Sequence, residues 1–448
     1  MNDQTPTAAW IGWDWADQHH DVFLESAEGK TERVRLPHRP EKLHAWFQEL
    51  GRRFQQRPVA LCLEACLSAL LPILLEYPFL RLYLINPKSL TRFRQAMRPS
   101  GSKSDDLDCQ LACQLVKSHA SLLARFVAED PVTQELAQWV SYRRDWVNQR
   151  TAVANKLTAV LKLYHPLALD LLQNDTTTGL AAGLVLKYPT LRALQEAPLH
   201  RVRQFFLGHS CRLTEGLQDR LRRIGTTAPV TAQPHWNNPH SFMACALAEQ
   251  LKVLVGRIDQ IEERIAVVAA QHPNQLLVKS VLGAGPALEP RLMVVLGTQP
   301  ENCAAAATLA IRGGVAPRRI QSGNTCVIHR RLAKPQFEHQ TWIEFAQYST
   351  FQCAWAREFV QAKTKAGKTY YTAIRALAYK WIRILYACWK KGAIYDEARY
   401  LKALQSRQDT SKPSKAVTAP TVQKTRPQHE VNSVKKTQKN SCIETSEL

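Results

Sequence analysis

Residues 9–15 read Ala9-Trp10-Ile11-Gly12-Trp13-Asp14-Trp15, an apolar run with one carboxylate set near its end. Successive strand residues face opposite sides, so Asp14 points one way while Trp13 and Trp15 point the other. A carboxylate buried alone costs several kcal/mol, so it needs a cation or dense hydrogen bonding. A second apolar run, Val59-Ala60-Leu61-Cys62-Leu63-Glu64, also ends on a carboxylate. Around these two, Asp21–Ser26 and Thr31–Leu36 read as short strands separated by the turn signal Ala27-Glu28-Gly29-Lys30. A helix over Pro40–Leu50 puts Leu43, Trp46, Phe47 and Leu50 on one face. Leu80–Ile85 is a further buried strand, and helices follow at roughly Leu67–Glu76 and Pro87–Arg98.

The order βββαβαβα, with an antiparallel start, gives a mixed sheet between helices, the layered plan of a ribonuclease-H-like domain. Asp105 and Asp108 then open a helical stretch just after the basic turn Ser102-Lys103-Ser104. Being three apart they share a helix face, while Asp106 turns roughly 100° away. Brought together, Asp14, Glu64, Asp105 and Asp108 make an oxygen-only ligand set, which favours Mg²⁺. Two such ions about 4 Å apart can activate a nucleophile and stabilise the leaving oxygen in phosphodiester cleavage. The plainer alternative makes Asp105 a helix cap and Asp108 a surface acid in the first turn.

With 448 residues the chain can hold two or three full cores. Its net charge is +21, of which the last 43 residues carry only +4. The remaining positive charge belongs to the folded part and points to an extended polyanion as partner. A membrane surface would compete, but no run of about 18 apolar residues and no signal peptide is present, so nucleic acid is the expected partner. The eleven cysteines are odd in number and lack paired C-x-x-C spacing. Cys62/Cys66 and Cys109/Cys113 are spaced as on one helix face, and buried reduced thiols in a cytosolic protein are the expectation.

Residues 107–165 read as mostly helical, and 167–238 as short helices with no assigned role. Leu247, Leu251, Leu254, Ile258, Ile261, Ile265 and Val268 alternate four and three apart, a coiled-coil seam that pairs either with the 143–163 helix or with a second subunit. Farther on, Leu282-Gly283-Ala284-Gly285-Pro286 is a tight turn between helices, where the backbone N–H groups at Gly283 and Gly285 can approach a phosphate. Ser322, in a flexible Ser-Gly turn, is flanked by Arg318, Arg319, His329, Arg330 and Arg331. Cations there would ease attack by its hydroxyl on a phosphodiester, although the residue types alone suit a plain turn on a basic surface better. Trp342, Phe345, Tyr348, Phe351, Trp355 and Phe359 form an aromatic stripe, read as core packing ahead of base stacking. Lys363, Lys365, Lys368, Arg375, Lys380 and Arg383 border the next helix as phosphate contacts would. The expected organisation is a catalytic domain over 1–128, a helical coiled-coil region over 129–272, a mostly helical domain over 273–404 and a disordered basic tail over 405–448.

Over about residues 9–128 and 276–396 the chain resembles the transposases of the DEDD-type insertion sequences, the bridge-RNA-guided serine recombinases, and more closely their subgroup with a longer C-terminal domain. The resemblance rests on Ile11-Gly12-Trp13-Asp14, Leu63-Glu64-Ala65, Ile85-Asn86-Pro87, Lys103-Ser104-Asp105-Asp106-Leu107-Asp108, Leu282-Gly283-Ala284-Gly285-Pro286 and Gly314-Val315-Ala316-Pro317 followed by Gln321-Ser322-Gly323. The stretches from Gly367-Lys368 to Tyr386 and at Tyr395-Asp396 add to it. It implies a RuvC-like N-terminal domain whose Mg²⁺-binding tetrad is Asp14, Glu64, Asp105 and Asp108, and a C-terminal transposase domain supplying Ser322 as nucleophile. It further implies a covalent phosphoserine intermediate at a site shared between subunits of a tetramer, and a structured non-coding RNA that pairs with donor and target DNA. Two departures stand out: no glycine follows Glu64 in Glu64-Ala65-Cys66-Leu67-Ser68, and Leu332-Ala333-Lys334-Pro335 replaces a basic Gly-Asn segment. A junction-resolving nuclease with water as nucleophile, and a non-catalytic nucleic-acid-binding protein, are the rival expectations.

Overall fold

Continuous apolar runs make the central strands, because a strand covered on both faces has no polar side to show. The computed structural model describes residues 5–64, 70–97, 105–209, 214–323, 325–332 and 334–410, without the side chains of residues 105–106 and 407–410. The strands are β1 (Ala9–Asp14), β2 (His19–Ser26), β3 (Thr31–Pro37), β4 (Val59–Glu64), β5 (Leu80–Ile85) and the two-residue β6 (Arg125–Phe126). Among the described residues they form one sheet in the order β3-β2-β1-β4-β5-β6. β1 is antiparallel to β2 and parallel to β4; β4 is parallel to β5, and β5 antiparallel to β6.

One face of the sheet carries Ile11, Trp13, Leu61 and Leu63, all buried with Leu43, Phe47 and Leu50 of α1 (Pro40–Arg53). Trp13 stacks on Phe47 at 5.6 Å between ring centres. Short α2 (Leu71–Leu75) and α3 (Pro87–Met97) follow β4 and β5. The opposite face, with Ala60, Cys62 and Ile85, is covered by Leu111, Ala112, Leu115 and Val116 of α4 (Asp105–His119). Cys62 therefore lies on a strand, which corrects its reading as one of a helical pair; Cys66 lies outside the described residues. Cys109 and Cys113 do share a helix, α4.

Asp130 accepts from the backbone N–H groups of Val132 and Thr133 at 3.0 Å and so caps α5 (Pro131–Tyr164). Helices α6 (Pro166–Leu171), α7 (Gly179–Lys187), α8 (Leu191–Glu196), α9 (Leu199–Gly208) and α10 (Glu215–Arg222) then fold around one core with α11 (Pro234–Ala269). Leu169, Ala182, Leu194 and Phe206 meet Leu247 and Leu251 there, which gives the unassigned 167–238 stretch a packing role. α11 runs antiparallel to α5: Arg143 Nε donates to Glu262 Oε1 at 2.8 Å, and Trp236 Nε1 to the Leu163 carbonyl at 3.4 Å. Leu247, Leu251, Ile258, Ile265 and Val268 are buried, while Leu254 and Ile261 are half-buried. Of the two partners the spacing allowed, α5 of the same chain lies against this helix.

The junction that follows is stitched by acids. Glu129 Oε2 accepts from the N–H groups of Thr298 at 2.7 Å and Gln299 at 3.1 Å, and Asp130 Oδ2 accepts from the Thr298 hydroxyl at 2.6 Å. Thr133 Oγ1 meets His272 Nε2 at 2.9 Å, and Asn274 donates to the Gly297 carbonyl at 2.7 Å. Next come α12 (Gln275–Lys279), α13 (Gly285–Leu296), α14 (Ala306–Arg312), the hairpin β7 (Arg318–Ser322) and β8 (Thr325–His329), α15 (Gln336–Gln352), α16 (Ala354–Lys365) and α17 (Tyr370–Lys390). Trp342, Phe345 and Trp355 of the aromatic stripe are buried; Tyr348 and Phe351 are 55% and 67% exposed. Trp381 lies 5.1 Å from Phe345 and donates through Nε1 to Ser349 Oγ at 2.9 Å.

Residues 396–448 form a second unit. In it α18 (Glu397–Thr410) starts where Asp396 Oδ1 accepts from the Arg399 N–H at 3.1 Å. Helix thus extends six residues into the tail expected to be disordered from 405; residues 411–448 lie outside the described residues. No described helix is long and apolar enough to cross a membrane.

Candidate catalytic site

The register of β1 with β4 runs through Trp13↔Leu63, so Asp14 and Glu64 follow side by side at the ends of neighbouring parallel strands. Gly12 and Cys62 face α4, and residues two further along a strand return to the same face. Asp14 and Glu64 therefore share the α4 side of the sheet, each half-buried. Across the sheet Asp14 is opposite Asp21, and Glu64 opposite Ile85.

α4 crosses β1 antiparallel and very close. A Cβ on Gly12 would sit 1.7 Å from the Cys109 carbonyl oxygen and 2.5 Å from the Cys113 nitrogen, so only glycine fits. Cys113 Sγ donates to the Trp10 carbonyl at 3.3 Å, and Lys117 Nζ to Glu25 Oε1 at 2.7 Å. Moving back along α4 from Lys117 to Cys109 therefore moves forward along β1 toward Asp14. The amino end of α4, where Asp105 and Asp108 sit, lies at the Asp14 end of the strand.

Asp108 is 6% exposed, and its Oδ1 is 2.9 Å from Arg94 Nε of α3. The atoms meet as an ion pair and not as an aligned hydrogen bond. This guanidinium is a site residue that the sequence reading missed, since nothing local ties residue 94 to residue 108. Lys103 and the side chain of Asp105 lie outside the described residues. Among the described residues, no three His, Cys, Asp or Glu side chains stand as a ligand cluster. The donor chemistry nonetheless suits a hard divalent cation: Asp14 and Glu64 offer oxygen only, and Asp108 is already held against a cation. Of the neighbouring thiols, Cys113 is engaged with the Trp10 carbonyl, and burial pushes it up to about 12 and raises Cys62 as well.

Ser322 is placed elsewhere in the sequence expectation than in the fold. It is the last residue of β7, paired with Thr325, and the turn begins only at Gly323, whose φ is +53°. Both strands of this hairpin are exposed along their length, including Ile320, Val327 and Ile328. Arg318 stands opposite His329; Arg319 reaches Gln321 Oε1 at 2.7 Å and Cys326 Sγ at 3.1 Å. Arg330 and Arg331 leave the end of β8. Of the two candidate glycines, Gly283 (φ +94°) is closed against α15, where a Cβ would lie 2.8 Å from Ser349 Cα; Gly285 (φ +61°) has open space at that position. Lys363 lies over Phe359, and Lys380 over Trp355 and Phe359, so these two cations rest on ring faces.

A family model described as a transposase, of the DEDD type named for IS110, matches residues 11–166 and so takes in the carboxylate end of the sheet. Over those residues the chain is similar to this DEDD transposase family. Among its relatives is a Sinorhizobium fredii protein named "Putative transposase y4uE", 27% identical over 219 residues, or 46% of this chain and 60% of that one. Against this relative the match thus spans less than two thirds of its length. Two Streptomyces coelicolor proteins match more fully. "Insertion element IS110 uncharacterized 43.6 kDa protein" is 24% identical over 84% of this chain and 93% of its own length. "Mini-circle putative transposase for IS117" is 22% identical over 87% and 95%.

Proposed function

We propose that this chain is a divalent-metal-dependent DNA recombinase that cleaves and rejoins strands to move its own insertion sequence. The observation that carries the reading is the placement of Asp14 and Glu64 on adjacent strand ends beneath the amino end of the helix bearing Asp105 and Asp108. The sheet order and the helices on its two faces support a RuvC-like assignment for the first domain. The four carboxylates would hold the metal, which supplies positive charge to the attacking and leaving oxygens. Ser322 is the proposed nucleophile. Its hydroxyl oxygen bonds to phosphorus, the scissile P–O bond breaks, and the serine proton ends on the departing oxygen; rejoining reverses those bond changes on a new strand end. The exposed hairpin suits a residue that must reach a strand lying outside its own core. An isolated two-stranded ribbon is marginally stable, which supports its working against DNA or another subunit of a homo-oligomer. The charge of the folded part and the match to a transposase model support DNA as partner, and a structured guide RNA is proposed alongside it.

The test uses the full chain with DNA carrying the element ends and the RNA that co-purifies. Denaturing gels should show protein-linked DNA that disappears in Ser322→Ala and in Asp14→Asn. An adduct that survives Ser322→Ala removes serine from the mechanism; free ends without any adduct favour a water-using nuclease. Activity unchanged in Asp14→Asn makes the carboxylate end of the sheet irrelevant to the chemistry.

A further inference from the structure

Cations gather where β8 ends. Arg330, Arg331 and Lys334 lie on the stretch leading to α15, and Arg375 is in the second turn of α17. The Lys334 side chain lies over Gly314, whose added Cβ would be 2.6 Å from Lys334 Cδ. Arg375 is steadied by Thr372, to whose Oγ1 its Nη2 donates at 3.2 Å. His339, in the first turns of α15, meets the Gly313 carbonyl through Nδ1 at 2.9 Å. Among the described residues, no carboxylate lies within 4.0 Å of these four Lys and Arg side chains. Glu338, on the same turn, gives its carboxylate to Arg312 Nε at 2.8 Å. Arg331 Nε is buried with no acceptor among the described residues.

The groups feel one another. Burial, then Arg375 and Arg330, holds the Lys334 ammonium below the usual lysine range. Burial, then Lys334 and Arg375, lowers His339 as well, against the Gly313 hydrogen bond that favours its charged form. Two helix termini add to this. Neither α15, which follows Pro335, nor α17, which follows Thr369, has a side-chain cap on its first N–H groups. The helices run parallel: Arg375 bears on His339 near both starts, and Trp381 meets Phe345 and Ser349 farther along both. Both positive helix ends thus emerge on the side where the cations stand. Lys363 and Lys380, by contrast, have aromatic faces against them.

We propose that Arg330, Arg331, Lys334, Arg375 and the paired amino ends of α15 and α17 form a binding site for one backbone phosphate of a nucleic-acid strand, at the root of the Ser322 hairpin. An anion there meets the uncapped N–H groups and relieves the mutual repulsion of Arg330, Lys334 and Arg375. The site rests on the recombinase reading and adds to it a fixed grip behind the proposed nucleophile. β8 has five residues, about 17 Å at ~3.4 Å each. Phosphates of one strand are about 3.4 Å apart along a duplex axis, so the gripped phosphate lies within about five nucleotides of the one Ser322 would attack.

The test measures binding of the full chain to fluorescent duplex DNA, and separately to hairpin RNA of equal length, between about 50 and 200 mM salt. The double variant Lys334→Gln/Arg375→Gln should lower the slope of log affinity against log salt by about one and weaken binding at the low-salt end by about tenfold or more. Lys252→Gln, an exposed cation on α11, should leave both nearly unchanged. Millimolar inorganic phosphate should raise the melting temperature of the parent protein and not that of the double variant. A slope that falls on DNA alone or on RNA alone names the strand held. A slope unchanged on both, or lowered equally by Lys252→Gln, overturns the site while leaving the recombinase reading standing. A double variant that melts well below the parent in phosphate-free buffer makes the cations structural and also overturns it. If the parent binds neither nucleic acid, both readings fall.

Discussion

Gly12→Ala should push α4 away from the sheet two residues before Asp14 on β1. The added methyl carbon would lie 1.7 Å from the Cys109 oxygen, 2.5 Å from the Cys113 nitrogen and 2.8 Å from the Cys109 carbonyl carbon. All three are helix backbone, so no side chain can swing aside. Restoring even a 3.0 Å contact requires a shift of about 1.3 Å, carried by the helix as a body. Overpacking of this kind costs about 1–3 kcal/mol, and with backbone on both sides the upper end is expected. The same shift moves Asp108 relative to Asp14, and a displacement of about 1 Å in a reacting centre costs about 10²-fold in rate. Urea melts and a strand-cleavage assay measure the two effects. Gly256→Ala, with nothing within 4 Å of the new carbon, is the control: it should gain up to about 1 kcal/mol from helix propensity and keep full activity. Gly12→Ala that melts within about 0.5 kcal/mol of the parent and cleaves normally would refute the close crossing.

Arg94→Gln leaves Asp108 buried without its cation and should cost about 3–5 kcal/mol in chelator. Added Mg²⁺ should restore part of that loss in denaturant melts, and no restoration would count against a metal near Asp108. His165 is 1% exposed, neither ring nitrogen has a partner among the described residues, and burial holds it at about 4 against an ordinary 6.5. The unfolded chain takes up that proton first, so the stability contribution is complete above about pH 6.5 and falls as pH drops toward 4, by about 3 kcal/mol in all. His165→Leu should flatten this window; parallel pH–melting curves for parent and variant would disprove it. Asp130→Ala should lose about 2 kcal/mol by uncapping α5 and releasing Thr298, which calorimetry would register.

The central sheet was legible because β4 and β5 are unbroken apolar runs with bounds that composition alone marks, Val59–Glu64 and Leu80–Ile85. β6 has two residues and no periodicity to read. The seam on α11 showed which face is apolar but not which helix covers it, since spacing carries no information about a partner 119 residues away, as Arg143 and Glu262 are. The hairpin at Ser322 was hidden for a different reason: both its faces are exposed, so no alternation of buried and solvent-facing residues marks it. Cys62 and Cys66 show the limit of spacing, which suits a helix equally well when the first of them is on a strand. The carboxylates at Asp14 and Glu64 were legible as acids in apolar runs. Arg94 was not, because it meets Asp108 only after the chain has folded.

The bonds from Glu129 and Asp130 to Thr298 and Gln299, with Thr133 on His272 and Asn274 on Gly297, fasten three distant stretches of chain within a single polar knot. A construction cut at residue 128 and grafted onto another scaffold would carry away the sheet and leave the knot's acids behind on the other piece. Chimeras of this protein should therefore tolerate exchange within 167–238, whose packing ends on α5 and α11, far better than exchange at residue 128.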